Sequence, residues 1–212
     1  MIFRMRDSAH LSGESSDTMM SGFVNHKGKG KKMKLMIASD IHGSSCYCRQ
    51  MLEAYKKEAA DRLLLLGDIL YHGPRNDLPA GYAPKEVISM LNEVKQELLC
   101  VRGNCDTEVD QMVLEFPIMA EYCFLEIDGK TMFATHGHVF HPDAPPMLKP
   151  GDILLNGHTH VPACRDMGAF WYLNPGSVSI PKEGSPHGYI VYENRKFLWK
   201  DMEGEVWKEK IF

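Results

Sequence analysis

The sequence predicts an α/β fold: two mixed β-sheets packed face to face and flanked by helices, a four-layer α/β/β/α sandwich. Three observations carry that prediction. From Met33 to Val101, short apolar runs alternate with helix-periodic stretches, the pattern of a β-α-β-α-β unit. Asp128-Gly129 then sits between two apolar segments, a strong hairpin signal that opens a mostly β half. Five polar clusters each close an apolar run, where open α/β sheets place their ligands.

The elements follow in order. Lys34 to Ser39 is a short apolar strand ending in Asp40. Ser44 to Ala60 is helical, with Met51, Leu52, Tyr55 and Ala59 at helix spacing. Arg62 to Gly67 is a Leu-rich run, as in parallel strands buried on both faces. A Gly/Pro/Asn-rich loop spans Ile69 to Pro84, and Lys85 to Gln96 is a second helix. Leu98 to Val101 is a third strand, stopping at Gly103. Met119 to Ile127 and Lys130 to Thr135 form the hairpin, and Asp152 to Asn156 is a strand before Gly157. Ala169 to Leu173, Gly188 to Tyr192 and Lys196 to Trp199 complete the β half. Its aromatics (Trp171, Tyr189, Tyr192, Phe197, Trp199) are expected to fill the sandwich core or a subunit interface.

Residues 1–32 differ in kind. They lack apolar periodicity and are expected to be a disordered N-terminal extension, leaving 33–212 as the folded domain. Six Lys/Arg against three acids give the extension +3, so the remainder carries −4 − 3 = −7. The run Lys27-Gly-Lys-Gly-Lys-Lys before Met33 has two readings. It is either a translated purine-rich ribosome-binding site, with Met33 the true start, or a basic tail that touches an anionic partner.

The 212 residues suffice for one well-buried domain. A net charge of −4 gives no whole-molecule attraction to nucleic acid or anionic membrane, and no basic stripe carries interleaved aromatics. Apolar stretches such as Leu63 to Leu66 fall far short of the roughly 20 residues that span a bilayer. Arg4 and Arg6 have no apolar core behind them, so the expected location is the cytoplasm. The six Cys (46, 48, 100, 105, 123, 164) are expected to be reduced thiols.

The clusters are Asp40-Ile41-His42, Gly67-Asp68, Gly103-Asn104-Cys105-Asp106, His136-Gly137-His138 and Gly157-His158-Thr159-His160. Each alone reads as a turn. Together, each at a strand end, they gather anionic and neutral N/O donors on one rim. That is enough for two metal ions sharing a bridging carboxylate, a standard device for hydrolysing phosphate esters.

D-x-H … G-D … G-N-x-D … H-G-H … G-H-T-H resembles the calcineurin-like metallophosphoesterase superfamily. Within it, Met33-Lys-Leu-Met-Ile-Ala-Ser-Asp-Ile-His-Gly-Ser, Gly67-Asp-Ile-Leu-Tyr-His-Gly-Pro-Arg-Asn, Arg102-Gly-Asn-Cys-Asp and Asn174-Pro-Gly-Ser-Val-Ser-Ile-Pro-Lys resemble the small bacterial YfcE-type phosphodiesterases. The resemblance covers 33–212. It implies that Asp40, His42 and His160 hold one metal, that Asn104, His136 and His158 hold the other, and that Asp68 bridges them. The mixed N/O set suits Mn²⁺ best, with Fe, Ni²⁺ or Zn²⁺ as alternatives.

The implied reaction is hydrolysis of a small phosphodiester by a metal-activated bridging hydroxide, with no covalent enzyme intermediate. Many superfamily members carry His after the Gly-Asn, where this chain has Cys105, a poorer cation at neutral pH. Candidates for leaving-group contact are His72 and His138 beside Cys105, and Arg75 and Asn76 for the substrate phosphate. Asp106 is expected to orient a neighbour, and Asn174 to Ser177 to be structure near the site. Competing readings are a phosphomonoesterase or protein phosphatase on the same fold, and a non-catalytic metal-binding scaffold. Such scaffolds typically lose metal ligands, and this chain keeps all seven. The resemblance and the aromatic C-terminal half also suggest a homodimer.

Overall fold

The computed structural model of the protein describes residues 2–4 and 32–212. Strands are β1 (Ile2–Arg4), β2 (Leu35–Ala38), β3 (Arg62–Leu65), β4 (Leu98–Cys100), β5 (Cys123–Ile127), β6 (Lys130–Ala134), β7 (Ile153–Leu155), β8 (Ala163–Asp166), β9 (Trp171–Asn174), β10 (Gly188–Glu193), β11 (Lys196–Asp201) and β12 (Val206–Ile211). Helices are α1 (Ser45–Glu58), α2 (Pro84–Glu93) and the single turn α3 (Glu108–Gln111). One sheet runs β12-β11-β10-β2-β3-β4, the other β1-β5-β6-β7-β9-β8. Both are mixed. In the first, β2, β3 and β4 are parallel and β10 is antiparallel to β2. In the second, β6, β7 and β9 are parallel.

Alternation along the strands builds the layers. Met36, Ala38, Leu63, Leu65, Tyr189 and Val191 face α1 and α2. The residues between them, Leu35, Ile37, Leu64, Ile190 and Tyr192, face the second sheet, where they meet Leu125, Met132, Ile153 and Leu173. The second sheet's other face carries Phe133, Leu154 and Tyr172, covered by Phe140 and Leu148. Those two lie in the irregular segment between β6 and β7. The sandwich is therefore as expected in its two sheets and its first helical layer. Among the described residues the fourth layer is irregular chain, because 136–152 carries four prolines and two glycines and no helical apolar period.

Local chemistry fixes the ends of the elements. Ser44 caps α1 by accepting from the Tyr47 N–H, and Ala59 ends it in the left-handed region. Pro84 opens α2 at its first turn. Asp128 and Gly129 both have positive φ, as a two-residue type I′ hairpin requires. Tyr189, Tyr192, Phe197 and Trp199 are buried in the sandwich, whereas Trp171 is half-buried beneath the Lys210 ammonium, 3.7 Å from its ring centre.

Strands β1, β8 and β12 have no counterpart in the sequence reading. Ile2–Arg4 pairs parallel with β5, so regular structure begins where none is expected. The rest of the expected disordered extension, apart from Lys32, lies outside the described residues. No helix among them is long and apolar enough to cross a membrane.

Candidate metal centre

Strands β2, β3 and β4 of one sheet and β6 and β7 of the other end at one rim. The turns beyond them carry Asp40-His42, Asp68, Asn104-Asp106, His136-His138 and His158-His160. Five of these side chains leave the backbone at positive φ: Asp40 (61°), His42 (48°), Asp68 (56°), His158 (64°) and His160 (61°). Non-glycine residues seldom adopt that conformation, and it collects at functional sites. Sequence periodicity carries no signal for it.

The backbones approach too closely for side chains between them. A Cβ on Gly103 would lie 2.1 Å from Asp68 Oδ1 and 2.3 Å from the Asp68 nitrogen. One on Gly157 would lie 1.9 Å from Ser39 Oγ and 2.7 Å from Asp40 Oδ2. Asp106 ties the same turns from beneath. Its Oδ2 accepts the N–H groups of Asp68 (2.8 Å) and Gly103 (2.7 Å), and its Oδ1 accepts that of Ile69 (2.9 Å). The Asn174–Ser179 loop braces the other side. Asn174 Nδ2 donates to Gly157 O at 2.7 Å, and the Ser177 and Ser179 hydroxyls both donate to Asp40 O.

Three imidazoles are aimed by backbone carbonyls. The Nδ1 atoms of His42, His136 and His160 lie 2.7, 2.7 and 2.8 Å from the carbonyl oxygens of Tyr71, Leu66 and Ile180. A proton on each Nδ1 satisfies those contacts and, once His136 gives up its second proton, leaves Nε2 bare, as metal-ligating histidines require. The bare atoms converge. His42 Nε2 and His160 Nε2 are 3.2 Å apart, with Asp40 Oδ1 3.5 and 3.2 Å from them. His136 Nε2 lies 3.0 Å from Asn104 Oδ1 and 3.2 Å from His158 Nδ1. Asp68 Oδ2 stands between the two triads, 3.6 Å from His42 Nε2 and 3.4 Å from His136 Nε2.

Each carboxylate spends one oxygen on the backbone and turns the other inward. Asp40 Oδ2 accepts the His158 N–H, while Asp40 Oδ1 is buried with no hydrogen-bond partner. Asp68 Oδ1 accepts the Cys105 N–H. A single Asp68 oxygen thus faces both triads, not one oxygen each. An orphaned buried carboxylate oxygen among converging bare nitrogens is what a cation site looks like, and divalent metal fits this donor set.

Charge follows from the crowding. Burial opposes ionisation of Asp40, but His160 and His42 hold its carboxyl well below the usual range. Burial likewise opposes protonation of His136, but Asp68 and Asp40 raise it to about 9. His158 goes the other way, down to about 4, through burial and the neighbouring His136. Burial and then Asp68 push the Cys105 thiol up, so it stays protonated at neutral pH.

The remaining candidates divide. Arg75, Asn76 and Cys105 line a cavity of about 370 Å³ that opens over Asp68, Asn104, His158 and His160. Asn76 uses its amide within the loop, donating to His72 O at 2.8 Å. His138 adjoins the cluster, its ring centre 5.5 Å from that of His136, and burial lowers its pKa. His72 does not join the converging donors. Its ring packs edge-on against Tyr71 and Tyr82. Sequence reasoning missed Thr159 and Lys182, which also line the cavity.

Residues 33–196 match the family described as the calcineurin-like phosphoesterase superfamily domain. The chain is 50% identical over 162 residues to phosphodiesterase YfcE of Escherichia coli, covering 76% of this chain and 88% of that protein. A structure of YfcE, a phosphoesterase from E. coli, superposes with a TM-score of 0.81 at 45% identity, covering 84% of this chain and 98% of that one. Vacuolar Protein Sorting 29 from Cryptosporidium parvum shares the fold alone, at 17% identity and a TM-score of 0.55 over 85% of this chain and 98% of that one. The chain belongs to the calcineurin-like phosphoesterase superfamily, whose members' metal chemistry its converging donors suit.

Proposed function

We propose that this protein is a two-metal phosphodiesterase, preferring Mn²⁺. The observation that carries the reading is the pair of donor triads on either side of Asp68 Oδ2. Asp40, His42 and His160 would hold one ion, Asn104, His136 and His158 the other, and Asp68 both. Bound there, the ions supply a nucleophile from water near neutral pH and neutralise phosphoryl oxygens. The chain's own part is positioning. Backbone carbonyls hold three imidazoles in one tautomer, and Asp106 fixes the turns of Asp68 and Asn104.

Cys105, where many superfamily members carry His, is a protonated thiol and offers the leaving group no cation. Substrates whose alcohol leaves readily therefore suit the site, and the E. coli relative is named a phosphodiesterase. The test is hydrolysis of an aryl phosphodiester by metal-stripped protein, with and without Mn²⁺, beside Asp68→Asn and a matched monoester. Metal-dependent diester hydrolysis that is lost in Asp68→Asn is expected. Tight metal binding without turnover with any divalent ion would overturn the reading in favour of a binding scaffold.

A further inference from the structure

Resting on that reading, we propose that the substrate is a phosphodiester bearing a second anionic group on one of its arms, held by Lys182 with Arg75. Both side chains line the cavity above the donor cluster, Arg75 on the wall made by Gly73 to Asn76 and Lys182 on the wall beside His160. Neither forms an ion pair among the described residues, so both charges remain available to a ligand in the cavity.

The walls that carry them are built rather than loose. The Lys182 N–H donates to His160 O at 3.1 Å, and its carbonyl accepts from the Ser185 N–H (3.0 Å) and hydroxyl. The opposite wall is pinned where the Ser44 hydroxyl donates to Ala80 O and Asn76 donates to His72 O. Lys182 therefore projects from a turn fixed to one of the proposed ligands.

Charge balance makes the argument. Two divalent ions are matched by the carboxylates of Asp40 and Asp68, an anionic nucleophile and the one charge of a diester. Arg75 and Lys182 then stand in excess. Setting the Asp106 carboxylate against one of them, although three backbone N–H groups already solvate it, still leaves a positive charge. A cavity of about 370 Å³ exceeds what a bare phosphate fills, so there is room for an arm that carries a carboxylate or a second phosphate. A site with surplus cations in an otherwise acidic chain selects the anion that completes it.

Two matched pairs test this on the Mn²⁺-loaded protein. The first compares kcat/KM for 2-carboxyethyl and propyl p-nitrophenyl phosphate. The second compares calorimetric binding of the methyl esters of 2-carboxyethylphosphonate and propylphosphonate, which needs no turnover. The carboxylated member is expected to win about tenfold in both, shrinking at high salt and falling several-fold in Lys182→Gln, with Arg75→Gln as the second variant. Equal preference in the wild type, or a preference that survives in both variants, overturns the inference and leaves the phosphodiesterase reading standing. A binding preference without turnover of either diester would overturn the phosphodiesterase reading and the substrate assignment with it, leaving only an anion site at Lys182 and Arg75. Faster turnover of p-nitrophenyl phosphate than of both diesters would assign the surplus charge to a monoester and overturn both.

Discussion

Asp106 gives the sharpest test of how the site is assembled. It is a buried carboxylate whose two oxygens hold three backbone N–H groups belonging to two different turns. Asp106→Ala orphans all three. An unsatisfied buried donor costs about 1–3 kcal/mol, and the vacated space admits a water that recovers part of this, so the expected loss is about 3–6 kcal/mol. Asp106→Asn is milder. Its remaining oxygen can keep the Asp68 and Gly103 donors, leaving Ile69 facing an amide nitrogen, for about 1–3 kcal/mol. Part of that is offset because Asn removes a buried charge, and burial is the main cause that holds the Asp106 carboxyl above its ordinary range. The assay is urea unfolding of the metal-free protein, read from the midpoint at an unchanged slope. The order must be wild type, then Asn, then Ala. An Ala variant within about 0.5 kcal/mol of wild type would show that the three bonds are not a support and would refute the reasoning.

Three further predictions follow from other contacts. Gly103→Ala drives a methyl into the Asp68 nitrogen and Oδ1, so Mn²⁺ affinity should fall about 10–100-fold by calorimetry while α1 and the sheets, followed by circular dichroism, persist. His136 has a folded pKa of about 9, above its unfolded value; its contribution to stability is full below about 6.5 and lost as pH rises through 9, so the urea midpoint of metal-free protein should drop over that window. Because the same proton must leave for the imidazole to ligate, metal affinity should rise over the same window, and loading near pH 7.5 should release about one proton from His136, measured from buffer-dependent heats. Ser44→Ala removes the α1 cap and the bond to Ala80 O together, and should cost about 1–2 kcal/mol in urea unfolding.

Much of this was legible in the sequence, for reasons that can be named. Strands β2 and β3 are buried on both faces, so they read as unbroken apolar runs, and the turn residues behind each are polar by contrast. Asp128-Gly129 specified its hairpin because both positions need positive φ. The illegible parts lie at the edges. In β12, Lys208 and Lys210 occupy the face that Phe197 and Trp199 share, so Val-Trp-Lys-Glu-Lys-Ile shows no apolar alternation. The lysines instead lay their ammonium groups against Trp199 and Trp171. The edge strand β8 likewise reads Ala-Cys-Arg-Asp, with its last two residues exposed. His72 is a case of the opposite kind: proximity in sequence to Asp68 suggested a role, but its ring is taken up by two tyrosines. Lys182 ends the Asn174-to-Lys182 motif without a signal of its own, because nothing in a sequence says that a turn bonded to His160 brings its side chain to the cavity.

The two halves of the proposed metal site differ in how their donors are held, and this bears on how it would load. His136 and His158 are 3.2 Å apart, yet one is raised and the other lowered, because a single proton serves the contact and the carboxylates of Asp68 and Asp40 draw it to His136. Below about 6.5 the depressed His158 works against folding, and above it the raised His136 progressively stops helping, so the metal-free protein is most stable near the crossing of the two. The proton thus stands in for part of the missing positive charge between Asp40 and Asp68. Five non-glycine residues kept at positive φ would otherwise relax, at about 1–3 kcal/mol each, were the turns not pinned by Asp106, Ser177 and Ser179. Strain is thereby carried by Asp106, Ser177 and Ser179, groups outside the donor set, which lets the donors converge on their own scaffold.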